Sequence, residues 1–194
     1  MIANKKITLI CVIVPVLAVL ITVLFMNGEA LGITVIHDGD SADSGDSEYF
    51  TANDLDASWN TDIATTISLN GSSGSVSGNG AYFLNGDAYI VSAGYYVIEG
   101  TLDDGSIIVD SSSKSKIWIM MNGVTVSSSD NAAFRVDQAK KVFLTLAEGT
   151  VNTLKSGDVM SDEATEAGIN GCLFARDDLT INGTGTLNVT GNYK

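Results

Sequence analysis

Four aspartates recur at one point of a repeated sequence pattern and could hold a metal ion. Asp110, Asp137 and Asp177 each follow a short apolar run, and Asp178 comes directly after the last of them. If equivalent strands stack about 4.8 Å apart, these carboxylates repel one another. Calcium accepts about six to eight oxygen ligands in flexible geometry, so the pattern predicts a calcium site at these four residues. The alternative is that the aspartates lie in solvated turns, where Asp is common.

Two aromatic residues occupy equivalent positions in neighbouring copies of the same pattern. If Ile117 and Ile119 point inward, strand alternation turns Trp118 outward and places Phe143 of the next copy beside it. Sugar rings pack their C–H faces on rigid aromatic side chains, so Trp118 and Phe143 are predicted to bind carbohydrate. The alternative is that the N-terminal segment or the acidic insert, residues 157–170, covers both rings.

The repeat that positions these residues consists of short strands. Lys116–Met121 recurs 25 residues later as Lys141–Leu146, and a third copy follows at Asp178–Gly183. Three short strands per repeat, with turns that tolerate insertion, are typical of a solenoid in which each coil stacks on the next. The pattern therefore predicts an all-β parallel β-helix of about three coils over residues 65–194. A β-sandwich is the structural alternative, but it does not require apolar positions at a fixed interval.

The N-terminal residues predict a membrane anchor or a signal sequence. Residues 7–26 form a run of 20 uncharged residues, which as a helix is about as long as the hydrocarbon core of a bilayer. Lys5 and Lys6 precede this run, so the rest of the chain is expected outside the cytoplasm. We predict an anchor in residues 1–26, with a cleaved signal sequence as the alternative, and an acidic linker over residues 27–64.

Composition excludes several classes of function. The 194 residues carry a formal net charge of −13, which repels phosphate backbones and makes nucleic acid an unsuitable partner. The two cysteines, Cys11 and Cys172, cannot build a disulfide framework, because Cys11 lies within the apolar run. No combination of nucleophile and histidine is present, since the single histidine lies in the predicted linker.

Several segments taken together resemble a bacterial family of secreted carbohydrate-binding domains. The resemblance covers residues 49–194 and is carried chiefly by Tyr96–Leu102, Leu146–Leu154 and Phe174–Leu187. It implies a right-handed parallel β-helix related in shape to pectate lyases, calcium sites on the coils, and binding of polysaccharides, including acidic ones, without known cleavage. The predicted function is thus calcium-assisted, non-catalytic binding of polysaccharide, with acidic sugars favoured, at the cell surface.

Two other functions remain open at the level of sequence. A polysaccharide lyase needs a cation and a nearby base, and the two arginines, Arg135 and Arg176, lie close to the aspartates in the chain. A structural surface protein could instead self-associate through an open coil end, because no capping element is visible before Lys194. That end also suggests a truncated solenoid, which further coils or a second chain would complete.

Overall fold

The computed structural model describes residues 50–59, 61–112 and 115–192, and strands are the main secondary structure of these residues. Within these residues the helices are short, α1 (Ala52–Leu55) and α2 (Asp162–Glu166), with a 3-10 turn at Thr61–Ile63. The strands are β1 (Thr65–Gly71), β2 (Ser73–Ser77), β3 (Ala81–Leu84), β4 (Asp87–Ile90), β5 (Gly94–Leu102), β6 (Ile107–Asp110), β7 (Lys116–Ser128), β8 (Phe134–Gln138), β9 (Lys141–Leu146), β10 (Val151–Ser156), β11 (Leu173–Ala175), β12 (Asp178–Gly183) and β13 (Thr186–Gly191).

The strands form two sheets. The eight-stranded sheet runs in the order β12-β9-β7-β5-β1-β2, with β10 pairing β7 and β13, and the five-stranded sheet runs β11-β8-β6-β4-β3. Successive copies of the repeat pair in parallel, so Lys116 lies opposite Lys141, and Lys141 lies opposite Asp178. The register that the repeat predicts for these three strands is therefore present.

Alternating side chains of both sheets fill one shared core. One row on the eight-stranded sheet consists of Ile67, Ile98, Met121 and Leu146, each opposite the next in parallel register. The first three are fully buried, and Leu146 is 8% exposed. Burying a side chain of this size contributes about 1.5–3 kcal/mol, so rows of this kind are the main source of stability. Each strand consequently turns its other face outward, where the candidate site residues lie.

The predicted fold class is wrong, because both sheets are mixed rather than purely parallel. β1 pairs β2 and β3 pairs β4 in antiparallel register, which a parallel β-helix of about three coils does not contain. The β3–β4 connection consists of Asn85 and Gly86, both with positive φ. Asn-Gly between two short apolar runs is a strong signal for a two-residue hairpin. The repeated alternation of strands and turns does not by itself distinguish such a hairpin from a turn between two coils. The molecule is all-β with mixed sheets.

The predicted transmembrane helix has no support. No helix within residues 50–59, 61–112 and 115–192 is both long and apolar enough to cross a membrane. Residues 7–26, on which that prediction fell, lie outside the described part of the chain. The boundaries of the predicted linker stay a prediction. Its C-terminal part is folded, however, because it includes α1, and Asp54 in this helix is only 4% exposed.

Candidate functional site

The outer face of the eight-stranded sheet carries an aromatic stack. Tyr95, Trp118 and Phe143 lie opposite one another on adjacent parallel strands. Their ring centroids are 4.9 Å apart between Tyr95 and Trp118 and 5.4 Å apart between Trp118 and Phe143, with nearly parallel planes. Trp59 contacts Tyr95 edge-on at 5.7 Å. Trp118 and Phe143 therefore lie side by side, as the repeat predicts.

The stack has little ring surface left for a ligand. Each of its rings faces the next ring along the ladder, so the stack directs ring edges rather than ring faces toward solvent. Phe143 is only 1% exposed, and the Lys141 ammonium lies 5.3 Å from its ring centroid. A sugar therefore cannot reach Phe143 in this structure. The carbohydrate-binding role predicted for Trp118 and Phe143 stays a prediction that this geometry does not favour.

A buried carboxylate holds the N-terminal segment beside this stack. Asp54 Oδ1 lies 2.6 Å from Lys141 Nζ and also accepts the Thr180 hydroxyl. Asp54 Oδ2 accepts both the backbone N–H and the hydroxyl of Thr51, which closes the N-terminal turn of α1. The Asn182 amide donates to the Asp54 and Asp56 carbonyls. We call Asp54 with Lys141, Thr180 and Thr51 the Asp54 clasp.

Burial alone would raise the pKa of Asp54, but the Lys141 ammonium and the Thr180 and Thr51 hydroxyls hold it well below its usual range. Because the folded pKa is depressed, the carboxylate stabilises the fold above its unfolded pKa of about 3.9. That stability is lost as the pH falls through the folded pKa. We expect wild type, compared with Asp54→Asn, to lose stability progressively as the pH falls below about 4. Chemical unfolding at several pH values measures this, and equal pH slopes for the two proteins would contradict it.

The four aspartates predicted to bind calcium do not form one column. Asp110 lies opposite Gln138 after a register shift, and Val136 lies opposite Ala175, so Asp177 is one residue out of step with Asp137. These offsets take the carboxylates out of line along the column. Asp110, Asp137 and Asp177 still line one open pocket of about 550 Å3, whereas Asp178 begins β12 on the other sheet.

The donor set of that pocket does not fit a preformed calcium site. The Asp177 carboxylate accepts the Ala139 backbone N–H at 2.7 Å, and Asp137 lies 3.2 Å from Arg135 Nε. Within the ranges that the structure describes, no three His, Cys, Asp or Glu side chains are close enough to share a metal ion. Calcium binding therefore stays a prediction.

The outer face of the five-stranded sheet carries a second aromatic pair. Tyr82 and Tyr89 lie opposite each other in the β3–β4 hairpin, with ring centroids 5.0 Å apart and planes 10° from parallel. β3 is the last strand of its sheet, and Tyr82 is 43% exposed. One face of the Tyr82 ring therefore stacks on Tyr89, while on the other side no strand within the described part of the chain pairs with β3. This ring has a free face, in contrast to those of the aromatic stack.

Polar and apolar side chains surround this pair on the same face of the sheet. We call this side of the sheet the Tyr82 face. By alternation with the core residues it comprises Tyr82, Leu84, Asp87, Tyr89, Ile108, Asp110, Arg135, Asp137 and Phe174. Ile108 is only 1% exposed and Phe174 packs against the insert, so the accessible part of this face lies around Tyr82. Asp87 Oδ1 accepts the Ser106 backbone N–H at 2.7 Å. Burial raises the pKa of Asp87 and of Tyr89. An aromatic ring next to carboxylate acceptors is suited to a ligand with both C–H faces and hydroxyl groups.

Comparison with known proteins places the chain in a family. The profile of a family described as carbohydrate-binding domain-containing protein matches residues 84–194, which is more than half of the chain. The chain belongs to this carbohydrate-binding domain family. A relative with the same description from Acetivibrio thermocellus is 31% identical over 105 residues, which are 54% of this chain and 37% of the relative.

A solved structure agrees in fold with the carbohydrate-binding domain. It is described as a polysaccharide lyase-like protein from C. thermocellum, in a gadolinium derivative, and matches with a TM-score of 0.64 at 26% identity. The match covers 68% of this chain and 54% of that protein. The chain thus spans about a third to a half of the length of the proteins it matches, so the activity of those whole proteins is not transferred to it.

The Tyr82 face of this carbohydrate-binding domain was not anticipated from the sequence. The available signal was the Asn85-Gly86 turn, because a two-residue hairpin places Tyr82 directly opposite Tyr89. Of the residues predicted to act, Asp110 and Asp137 lie on this face, while Trp118, Phe143 and Asp178 belong to the other sheet.

Proposed function

We propose that the domain binds polysaccharide without cleaving it, through the Tyr82 face. The observation that carries the proposal is the stacked Tyr82–Tyr89 pair at the end of the five-stranded sheet, with the outer ring 43% exposed. The family match covers residues 84–194, which include Tyr89 but not Tyr82, and membership of this carbohydrate-binding domain family supports the class of ligand.

The chemistry of the Tyr82 face suits a sugar. A sugar ring placed on Tyr82 packs its C–H face against the aromatic ring, and Tyr89 fixes the orientation of that ring from behind. Leu84, which is 51% exposed and two residues further along β3, extends the apolar surface. Asp87 lies opposite Leu84 and has a carboxylate oxygen to accept sugar hydroxyls. The rigid pair gives up little conformational entropy on binding.

The arginines do not favour a lyase. Arg135 Nε is 3.2 Å from Asp137, and an Arg176 NH group donates to the Ala167 carbonyl while the guanidinium lies over Phe174. Both guanidinium groups are thus engaged in contacts within the domain, whereas the base of a lyase must be free to take the proton beside a uronate. The structural neighbour described as polysaccharide lyase-like supports a shared fold through its TM-score of 0.64, and the family description supports binding. Calcium, export to the cell surface and self-association are separate predictions on which this proposal does not depend.

Replacing Tyr82 tests the proposal. Tyr82→Ala removes the free ring face, so we expect retention on the polysaccharide that the full chain binds best to weaken about tenfold, or about 1.4 kcal/mol. Tyr82→Phe keeps the ring and is expected to bind within about threefold of wild type, since only the hydroxyl is lost. Pull-down on a panel of insoluble polysaccharides, followed by affinity measurement for the retained one, gives these values.

The matched control is Ile181→Ala on β12 of the other sheet. Ile181 is 43% exposed, as Tyr82 is, so the control removes an equally accessible apolar side chain away from the proposed site. We expect it to bind as wild type does. Equal losses in Tyr82→Ala and Ile181→Ala, or no loss in either, would rule out the Tyr82 face.

A further inference from the structure

One row of outward side chains crosses the five-stranded sheet at the level of the tyrosine pair. Its members lie opposite one another on successive strands and are Tyr82, Tyr89, Ile108, Arg135 and Phe174. Neighbouring strands lie about 4.8 Å apart, so the whole row is about 19 Å long. A glycan that crossed the strands would have to follow this row beyond the exposed ring of Tyr82.

The row is closed to a ligand one strand beyond Tyr89. Ile108 points away from the core by alternation, yet it is only 1% exposed, and the Arg135 side chain is 14% exposed. At the far end of the row, Phe174 packs against a small apolar cluster that includes Ala164 of helix α2. An extended glycan therefore cannot contact successive members of this row.

The insert beside this part of the sheet is firmly attached. The Ser161 N–H donates to the Asp130 carbonyl at 2.8 Å, and the Gly157 N–H donates to the Ser128 carbonyl at 2.8 Å. A Cβ atom on Gly157 would collide with the Ser129 carbonyl oxygen, so only glycine allows the insert to begin this close to the neighbouring backbone. The closed part of the row is thus built into the fold.

A second path runs along β3 and is open. Tyr82 and Leu84 are two residues apart on this strand, point to the same side and are 43% and 51% exposed. Two residues of a strand span about 7 Å, which is of the order of one sugar unit with its glycosidic bond. The next positions in each direction are Gly80 and Gly86, which have no side chain to block the path. We call Gly80, Tyr82, Leu84 and Gly86 the β3 strip.

We propose that the glycan runs along the β3 strip as a single extended chain, with one sugar unit on Tyr82 and the next on Leu84. The inference rests on the proposed function and adds the path and the physical form of the ligand. Equatorially linked chains suit this strip, because they present C–H faces along their length. A flat crystalline face made of many chains needs several coplanar contacts, which one ring and one leucine on a twisted edge strand do not supply. The site therefore selects individual chains over packed crystals.

A length series tests the path on the full chain. The probes are β-1,4-linked oligomers of glucose and of xylose with one to six units, measured by calorimetry. The β3 strip spans about 20 Å, or about four sugar units, so we expect affinity to rise about tenfold from one unit to three and to level off near four. Excess glucose hexamer should also release the domain from acid-swollen β-1,4-glucan. Retention on the microcrystalline form that the hexamer does not displace would contradict the single-chain mode.

Added and removed apolar surface locates the chain. Leu84→Ala is expected to weaken binding of the hexamer about threefold, and Leu84→Trp to tighten it about threefold, because tryptophan adds a second ring and is favoured in strands. Val159→Trp is the matched control, since Val159 is 63% exposed on the insert, toward which a chain crossing the strands would run. We expect this control to bind as wild type does. A gain in Val159→Trp without one in Leu84→Trp would place the chain across the strands and overturn the inference.

The outcomes separate this inference from the proposed function. If Tyr82→Ala weakens binding of the hexamer while both Leu84 variants bind as wild type does, the Tyr82 face stands and the path along β3 is wrong. If no oligomer binds although Tyr82→Ala weakens retention on another polysaccharide, again only this inference falls. If no oligomer binds and Tyr82→Ala leaves polysaccharide retention unchanged, both are wrong.

Discussion

Replacing Asp54 with alanine is expected to lower the free energy of unfolding by about 3 kcal/mol, because removing one partner of a buried ion pair leaves the other charge without compensation. The Asp54 side chain is 3% exposed and its carboxylate binds Lys141, Thr180 and Thr51. Alanine also removes the acceptor that closes the first turn of α1. Urea unfolding of the full chain gives the free energy, with the midpoint compared at constant slope.

Two further variants show whether the loss comes from the Asp54 clasp. Asp56→Ala is the control, since Asp56 is an exposed aspartate two residues away whose side chain accepts a local N–H from Ser58. We expect it to change stability by less than about 0.5 kcal/mol. Asp54→Ala combined with Lys141→Met replaces the pair by apolar groups and is expected to regain at least half of the loss. Similar losses for Asp54→Ala and Asp56→Ala would contradict the clasp.

The repeat predicted strand pairing well where the copies carry matching apolar residues. Trp118 lies opposite Phe143, and Lys116 lies opposite Lys141, as the superposed copies require. The physical reason is that a shift of one residue would move a whole row of apolar side chains out of the core, so the register is strongly specified there.

The prediction failed where turns rather than apolar rows decide the geometry. The antiparallel β3–β4 hairpin is set by two residues, Asn85 and Gly86, which adopt positive φ. The aspartates end their strands, where a register shift between Val109 and Asp110 costs no core contact. Their predicted column is therefore offset in the structure, and carboxylates that looked equivalent in the sequence have different partners.

The sequence also did not determine which of the outward side chains are exposed to solvent. Alternation places Trp118 and Phe143 outside the core, but it does not reveal that the N-terminal segment returns to this face. Asp54 lies 87 residues before Lys141 in the chain, and no local pattern links the two. Tyr82 shows the reverse case, because its position on the last strand of the sheet leaves one ring face accessible.

Replacing Phe143 with alanine is expected to cost about 3–5 kcal/mol of stability, as truncation of a buried phenylalanine commonly does. Phe143 is 1% exposed, stacks on Trp118 at 5.4 Å and lies under the Lys141 ammonium. Alanine would leave a cavity between Trp118 and the Asp54 clasp and withdraw the apolar support of Lys141. Thermal and urea unfolding measure the loss, and the Tm should fall clearly below that of wild type.

The same variant separates the two readings of the aromatic stack. If Phe143 stabilises the fold rather than binding sugar, Phe143→Leu should recover much of the stability, and polysaccharide affinity measured on the folded fraction should match wild type. The exposed Val189→Ala, on β13 of the same sheet, is the control and should change neither property, since Val189 is 45% exposed. A side chain that only packs can change polysaccharide affinity solely through the stability of the fold. A large loss of affinity in Phe143→Leu with little loss of stability would therefore place the sugar on the aromatic stack instead.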